Sequence, residues 1–243
     1  MDALTISAAS GLRSRMESLD MLANNLANSE TGGYKSDREF YNLYISPEAS
    51  QGEGQEPATL PVIERSWTDF SQGALHPTGN PFDLALSGKG FFAVDGPSGT
   101  LYTRNGGFRA SKTGMLVTAD GYPVRTAAGG SLQIPASGPI DVAADGSVRQ
   151  NGQALGSLEI AEFADPGALA KRGAAYFTSA STPQPASQTT VEQGKLESSN
   201  VGAAESAVRL VGVMRQFEML QKAVTLGSQM NRSTLQEVAR VAS

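Results

Sequence analysis

Apolar residues near the N-terminal end of the chain recur with the spacing of a heptad. Successive members of this row lie four, three, four and three positions apart, while Arg13 and Glu17 lie off it. Such spacing places the row along one face of an α-helix. Asn and Gly often end helices, so we expect this helix to end between Asn28 and Gly33. The row is predicted to be an assembly seam and consists of Leu12, Met16, Leu19, Ala23 and Leu26.

The C-terminal end carries a second row of the same kind, whose members lie three, four, three and four positions apart. A continuous helix from Val201 to Val241 would be roughly 60 Å long at 1.5 Å per residue. An amphipathic helix must cover its apolar face, so we expect the two rows to pair and the longer one also to contact other copies of the protein. The second row consists of Leu210, Val213, Phe217, Leu220 and Val224.

Each row by itself fits the core of an ordinary helical hairpin as well as it fits an assembly surface. The arrangement along the chain favours assembly, because the rows lie at opposite ends with a different kind of sequence between them. There the hydrophobic pattern changes to a period of two, and short apolar runs are separated by Asn-Gly and Asp-Gly pairs such as those at 105–106 and 120–121. This pattern is typical of antiparallel hairpins.

The predicted fold class is therefore a mostly β central domain with long N- and C-terminal α-helices that pair as a coiled coil. We expect a β domain over residues 66–180. The flanking segments are rich in Pro, Ser, Gly and Gln and are predicted to be a connector and a linker. The expected divisions are an N-terminal helix over 1–33 that forms a helical assembly domain with 198–243, a connector over 34–65, the β domain over 66–180 and a linker over 181–197.

Composition narrows the classes of function. All twelve prolines of the 243 residues lie between Pro47 and Pro185, so both predicted helices are free of proline. The chain has no cysteine, which excludes thiolate catalysis and cysteine-based metal sites. Its net charge of −5 and pI of about 5.0 argue against a nucleic-acid partner. No apolar run approaches the roughly 20 residues of a membrane span. We expect no membrane insertion, no metal and no cofactor.

The strongest candidate for catalysis is the single histidine, His76. A hydrolase would need it to activate a serine, with Asp83 or Asp69 to orient the ring. The sequence lacks the Gly-x-Ser-x-Gly pattern around a nucleophile, and His76 precedes a proline in a segment typical of turns. We therefore predict no catalytic residue and keep a hydrolase that uses His76 only as the less favoured alternative.

Four sequence blocks, in this order along the chain, resemble the family of flagellar rod, hook and hook–filament junction proteins. The N-terminal block contains Asn-Asn-Leu-Ala-Asn followed by Thr-Gly-Gly-Tyr-Lys, the second spans 79–94, the third spans 102–124, and the last contains Glu-Ser-Ser-Asn-Val. The family-motif positions that we single out are Asn24, Asn25, Asn28, Thr31, Asn200 and Val201. The asparagines of the N-terminal block are expected to end the first helix and to form hydrogen bonds between helices.

The resemblance implies a structural subunit, not an enzyme, in the rod of the bacterial flagellar basal body. The short segment between Lys35 and Trp67, and residues 215–219, resemble the proximal-rod branch; a distal rod protein or another hook–basal-body homologue is the alternative. Members of the family are exported by the flagellar type III apparatus without a cleaved signal peptide and polymerise into a hollow shaft that spans the periplasm. The implied partners are other copies of the protein, other rod and hook–basal-body proteins, and the export apparatus.

Overall fold

The computed structural model describes residues 3–45, 59–135, 140–186 and 188–241. Most of the secondary structure is β-strand, and one helix lies near each end of the chain, which confirms the coarse fold prediction. The chain divides into two compact units. We call the first the helical unit; its elements are α1 (Ala3–Ala27), β1 (Asp37–Ile45), β2 (Thr59–Thr68) and α2 (Ala203–Val241).

The second unit, which we call the β unit, comprises Ala27–Ser36 and Thr68–Val201. Its strand pairs are antiparallel hairpins and longer-range pairs. Its elements are β3 (Leu75–Pro77), β4 (Leu84–Ser87), β5 (Phe91–Gly96), β6 (Gly99–Thr103), β7 (Arg109–Ala110), β8 (Leu116–Val117), β9 (Asp141–Val142), β10 (Ser147–Gln150), β11 (Gln153–Ser157), β12 (Ile160–Glu162), a 3₁₀ turn (Pro166–Ala168), β13 (Leu169–Arg172), β14 (Tyr176–Ser179), β15 (Gln184–Pro185), β16 (Thr190–Gln193) and β17 (Lys195–Glu197).

The largest sheet of the β unit has six strands in the order β13-β14-β6-β5-β12-β15. Strand β5 is buried on both faces because successive side chains of a strand point to opposite sides. Phe92 and Val94 enter one apolar cluster, which includes Leu84, Leu116 and other buried residues of the β unit. Phe91 and Ala93 enter the other, in which Phe91, Phe163 and Phe177 form edge-on ring contacts. The sheet therefore has a core on each side.

Two segments that the sequence predicts to be connecting chain contain strands. The expected connector 34–65 includes β1 and most of β2, which pair in a two-stranded sheet. The expected linker 181–197 contains β15, β16 and β17, and β16 pairs with β4 along four residue pairs that bury Val191. Within 181–197 the sequence signal for strands is weak: β16 contains a single buried apolar residue, Val191, and the buried residue of β17 is Glu197. The Pro, Ser and Thr content of this segment resembles that of a linker.

Helix α1 ends at Ala27, one residue before the predicted interval. The residues that follow form a turn, in which the Thr31 N–H donates to the Asn28 carbonyl at 3.1 Å and the Thr31 hydroxyl donates to the Asn28 side chain at 3.2 Å. Within the described part of the chain, neither helix has a stretch long and apolar enough to span a membrane.

Candidate assembly site

The β unit contains a fully buried cluster of three charged side chains. The Lys35 Nζ lies 2.5 Å from Glu197 Oε1, and both side chains are 0% exposed. The Arg104 Nη1 lies 3.3 Å from Glu197 Oε2, with Arg104 itself 2% exposed. The cluster joins residues that are 162 and 93 positions apart in sequence. Since a buried charge left without its partner is strongly destabilising, this cluster holds three distant segments in one arrangement.

Backbone groups satisfy most of the remaining hydrogen-bonding capacity of the cluster. The Gly73 N–H donates to Glu197 Oε1 at 2.9 Å, and Lys35 Nζ donates to the Ser71 carbonyl at 2.7 Å. Arg104 Nη2 donates to the Gly88 carbonyl at 2.6 Å, and its guanidinium lies 5.0 Å from the centre of the Phe91 ring. Burial lowers the pKa of the Lys35 ammonium group, and the adjacent Glu197 carboxylate opposes that shift. Burial also lowers the pKa of the Arg104 guanidinium, and the Glu197 carboxylate again opposes that shift.

Asn200 connects the segment that follows α1 with the segment that precedes α2. Its side-chain oxygen accepts a hydrogen bond from the Ser36 N–H at 2.8 Å, and its amide group donates to the Asp69 carbonyl at 2.7 Å. Its own N–H donates to the Tyr34 carbonyl at 3.3 Å. The neighbouring motif residue Val201 is half-buried. Asn200 thus bonds three segments of the β unit to one another, around residues 34–36, 69 and 200.

Gly33 is required for this arrangement. Its φ of +68° is in the left-handed region that disfavours other residues. A Cβ at this position would also collide with the backbone of Arg104 and Asn105. The Gly33 N–H donates to the Glu197 carbonyl at 2.8 Å, so the close approach brings the N-terminal segment into contact with β17.

In the helical unit, α1 buries a row of small and polar residues that differs from the predicted seam. The buried row is Ser14, Ser18, Leu22 and Asn25. At 100° per residue it lies roughly 120° around the helix axis from the predicted row. Within the predicted row, Leu12, Leu19 and Leu26 are half-buried, whereas Met16 is 54% exposed and Ala23 is exposed. A single chain therefore leaves part of the predicted α1 seam open to solvent.

Polar contacts link the buried row of α1 to β1. The Ser18 hydroxyl donates to Glu39 at 2.5 Å, and Arg209 of α2 lies 4.0 Å from the same carboxylate. Asn25 donates to the Asp37 carbonyl at 2.7 Å and accepts from the Asp37 N–H at 3.0 Å. Asn25 thereby anchors the start of β1. The other motif asparagine on the helix, Asn24, is exposed.

Helix α2 carries its predicted seam on its least exposed face. All five seam residues are half-buried, and most positions between them are exposed. A Cβ added to Gly11 of α1 would lie 3.6 Å from a methyl group of Leu220, so the two helices come close at this point. A second face of α2, roughly 150° away at 100° per residue, exposes large apolar side chains. They include Val208, Met219 and Leu226.

The candidate catalytic histidine lies in an unremarkable place on the surface. His76 is exposed on β3, where it pairs with Leu196 of β17. Of the acids that could orient it, Asp83 accepts from the Asn80 amide at 3.0 Å and Asp69 accepts from the Ser71 N–H at 2.9 Å. No cluster of three or more possible metal ligands occurs among the described residues.

Three sequence-family models match the chain in order. The model described as flagella basal body rod protein matches residues 7–35, that of the flagellar hook protein FlgE/F/G D1 domain matches 85–153, and that of the flagellar basal body rod FlgEFG protein C-terminal matches 192–237. Each matched segment supplies one member of the buried cluster: Lys35, Arg104 and Glu197. The family motifs contain these three residues, but the sequence alone does not identify them as a cluster, because only the tertiary structure shows that their charges meet.

Curated relatives match over most of their length. The chain is 37% identical over 205 residues to the flagellar basal-body rod protein FlgF of Mesorhizobium japonicum, which covers 82% of this chain and 83% of the relative. It is 32% identical over 226 residues to FlgF of Caulobacter vibrioides, covering 92% of each. It is 34% identical over 263 aligned residues to the flagellar basal-body rod protein FlgG of Agrobacterium fabrum, covering 95% and 97%.

The three matched models and the curated relatives all describe structural proteins of the flagellar rod and hook. The chain belongs to the flagellar basal-body rod protein family. It is a structural subunit of the bacterial flagellar basal-body rod and not an enzyme, which confirms both predictions. The hydrolase alternative is not favoured.

Proposed function

We propose that the protein builds the proximal part of the rod by polymerising through its terminal helices. The observation that carries this proposal is the pair of apolar faces on α2. One face carries the predicted seam and is half-buried in the single chain, with Leu220 close to Gly11 of α1. The other face exposes Val208, Met219 and Leu226. A helix that is apolar on two faces needs a neighbour on each.

The pairing of α1 with α2 within one chain is favoured by the small residues on α1. Gly11, Ser14 and Ser18 lie three and four positions apart, on the face of α1 that is buried or half-buried. Small side chains permit close approach of the backbones, so the larger seam residues of α2 fit against them. We propose that this close pair is the building block of a coiled-coil-like assembly domain.

The faces left open are proposed to contact other subunits. Met16 and Ala23 on α1, with Met219 and Leu226 on α2, form exposed apolar positions on both helices. Contacts of this kind between unlike faces of successive copies generate open helical assemblies when the rotation from copy to copy does not close a ring. The partners are other copies of the protein and other rod and hook–basal-body proteins, arranged around a hollow shaft. The proximal position rests on the short segment between Lys35 and Trp67 and on residues 215–219.

The route to the rod is also proposed from the resemblance. The flagellar type III export apparatus would deliver the chain, without a cleaved signal peptide, to the periplasm-spanning rod. A chain free of cysteine is suited to this route, because it forms no disulfides in an oxidising compartment.

The experiment compares two single substitutions on α2 in a strain that lacks the gene. Met219→Glu places a charge on the exposed apolar face, whereas Gln221→Glu places the same charge at an exposed position roughly 160° away around the helix axis. We expect Met219→Glu to abolish motility and Gln221→Glu to restore it, while both purified proteins keep the circular dichroism of the wild type. Normal motility with Met219→Glu would contradict the proposed contact.

A truncation tests the role of α1. Removal of residues 1–26 leaves Lys35 and the buried cluster in place, so we expect a folded β unit that does not enter the rod. Restoration of motility by this truncated chain would show that α1 has no role in assembly. Cross-linking to neighbours in isolated basal bodies would then test the proximal position.

A further inference from the structure

A pocket of about 490 Å³ in the β unit has a lining suited to an organic anion. Three of its walls are phenylalanine side chains, Phe70, Phe91 and Phe163, and its polar lining includes Lys89 and Arg104. The volume lies within the range of small-molecule sites, roughly 300–1,000 Å³, which are mostly apolar with a few polar groups that orient the ligand.

The charged side chains that line this pocket are cations. No carboxylate occurs among the residues described as lining the pocket, whereas Lys89 is exposed at its surface. Arg104 belongs to the buried cluster in which two cations share the single carboxylate of Glu197. The lining itself thus carries two cations and no carboxylate, while the carboxylates of Glu162 and Asp69 act on Arg104 and Lys35 from outside it. One buried donor nitrogen of Arg104, Nε, has no acceptor among the described residues.

We propose that this pocket binds a carboxylate carried on an aromatic or apolar stem. The stem would pack against the phenylalanine rings, and the carboxylate would face Lys89 and the guanidinium of Arg104. Two sources share this chemistry: an acidic side chain or chain end of a neighbouring subunit, and a free carboxylic acid. The inference goes beyond the role in the rod, because it assigns a ligand chemistry to a site in the β unit and does not depend on the helical contacts.

Binding is tested with phenylacetate and its neutral analogue phenylacetamide, titrated separately into the full-length protein and followed by nuclear magnetic resonance. We expect phenylacetate to bind roughly tenfold more tightly than phenylacetamide, because only the carboxylate forms charge-assisted hydrogen bonds. Equal affinities of the two compounds, or no binding of phenylacetate at millimolar concentration, would overturn the proposal.

Three variants locate the binding. Lys89→Gln should weaken phenylacetate binding roughly threefold, as expected for an exposed charge, and Lys112→Gln, at an exposed lysine elsewhere in the β unit, should leave it unchanged. Ala164→Phe fills the pocket from an exposed lining position and should abolish binding while preserving the circular dichroism. An equal loss with Lys112→Gln, or unchanged binding with Ala164→Phe, would contradict a site in this pocket.

The same Ala164→Phe variant separates the two sources in the cell. If a neighbouring subunit supplies the carboxylate, the variant should be recovered in isolated basal bodies at a lower level than the wild type. If a free acid is the ligand, the variant should assemble normally, and native mass spectrometry should find the acid on the wild-type protein and not on the variant.

Discussion

The two units of this protein are stabilised by different means. The β unit has two apolar clusters and a buried cluster of three charges that is satisfied almost entirely within the chain. The helical unit buries Ser14 and Ser18 along α1 and leaves Met16 and Met219 exposed. The β unit therefore has its own buried core, whereas the helical unit leaves large apolar side chains exposed in the single chain.

The largest effect is expected from Glu197→Gln. This change leaves Lys35 and Arg104 buried without a counter-charge and should lower the free energy of unfolding of the β unit by about 3–5 kcal/mol. Urea denaturation followed by circular dichroism measures it. The matched control is Glu192→Gln, whose carboxylate pairs with Lys195 at the half-exposed surface and which should cost at most about 1 kcal/mol. Similar losses in the two variants would refute the importance of the buried cluster.

A smaller loss is expected from Gly33→Ala. The left-handed φ and the contact with the Arg104 backbone leave no room for a Cβ, so the free energy of unfolding should fall by about 2–3 kcal/mol. Thermal denaturation measures the change. Gly173→Ala is the control for φ alone, because Gly173 has a φ of +72° but open space around its Cβ position. If the two variants lose the same stability, the close approach at Gly33 is unimportant.

A local effect is expected in the helical unit from Asn25→Ala. Loss of the two hydrogen bonds to Asp37 should cost about 1–2 kcal/mol and should leave the β unit unaffected. Hydrogen exchange should therefore become faster at the amides of Asp37 and Arg38 and remain unchanged in β5 and β6. Asp20→Ala, at an exposed position of the same helix, serves as the comparison. Faster exchange throughout the β unit would contradict the independence of the two units.

The smallest effect is expected from His76→Ala. Because His76 is exposed and has no catalytic role, both motility and the free energy of unfolding should remain unchanged within about 0.5 kcal/mol. A motility assay of the complemented deletion strain measures the first and urea denaturation the second. A loss of motility without a loss of stability would reopen a functional role for this histidine.

How much of this structure could be predicted depends on how local the signal is. The seam of α2 was predictable, because amphipathic spacing depends only on neighbouring turns of one helix, and all five of its residues lie on the least exposed face. The buried row of α1 was not predictable from the hydrophobic pattern, because Ser14 and Ser18 are buried on account of their small size. Hydrophobicity therefore indicated the more exposed row with Met16 instead.

The buried charged residues of the candidate site were even less predictable from local sequence. Lys35 and Glu197 lie in blocks that carry the family resemblance, yet a charged residue in sequence ordinarily indicates the surface. Their burial depends on a contact between residues 162 positions apart. The strands within 181–197 were missed for a related reason, because β16 is defined by its pairing with β4 and contains a single buried apolar residue, Val191.

We propose that neighbouring subunits cover the exposed apolar face of α2 in the rod. Because the chain has no cysteine, Met219→Cys introduces a unique thiol at that face. The most direct measurement is the rate at which a maleimide labels this thiol in the soluble protein and in isolated basal bodies, with denatured basal bodies giving the total thiol content. We expect rapid labelling of the soluble protein and labelling at least roughly tenfold slower in the rod. Equal rates in both would contradict this proposal.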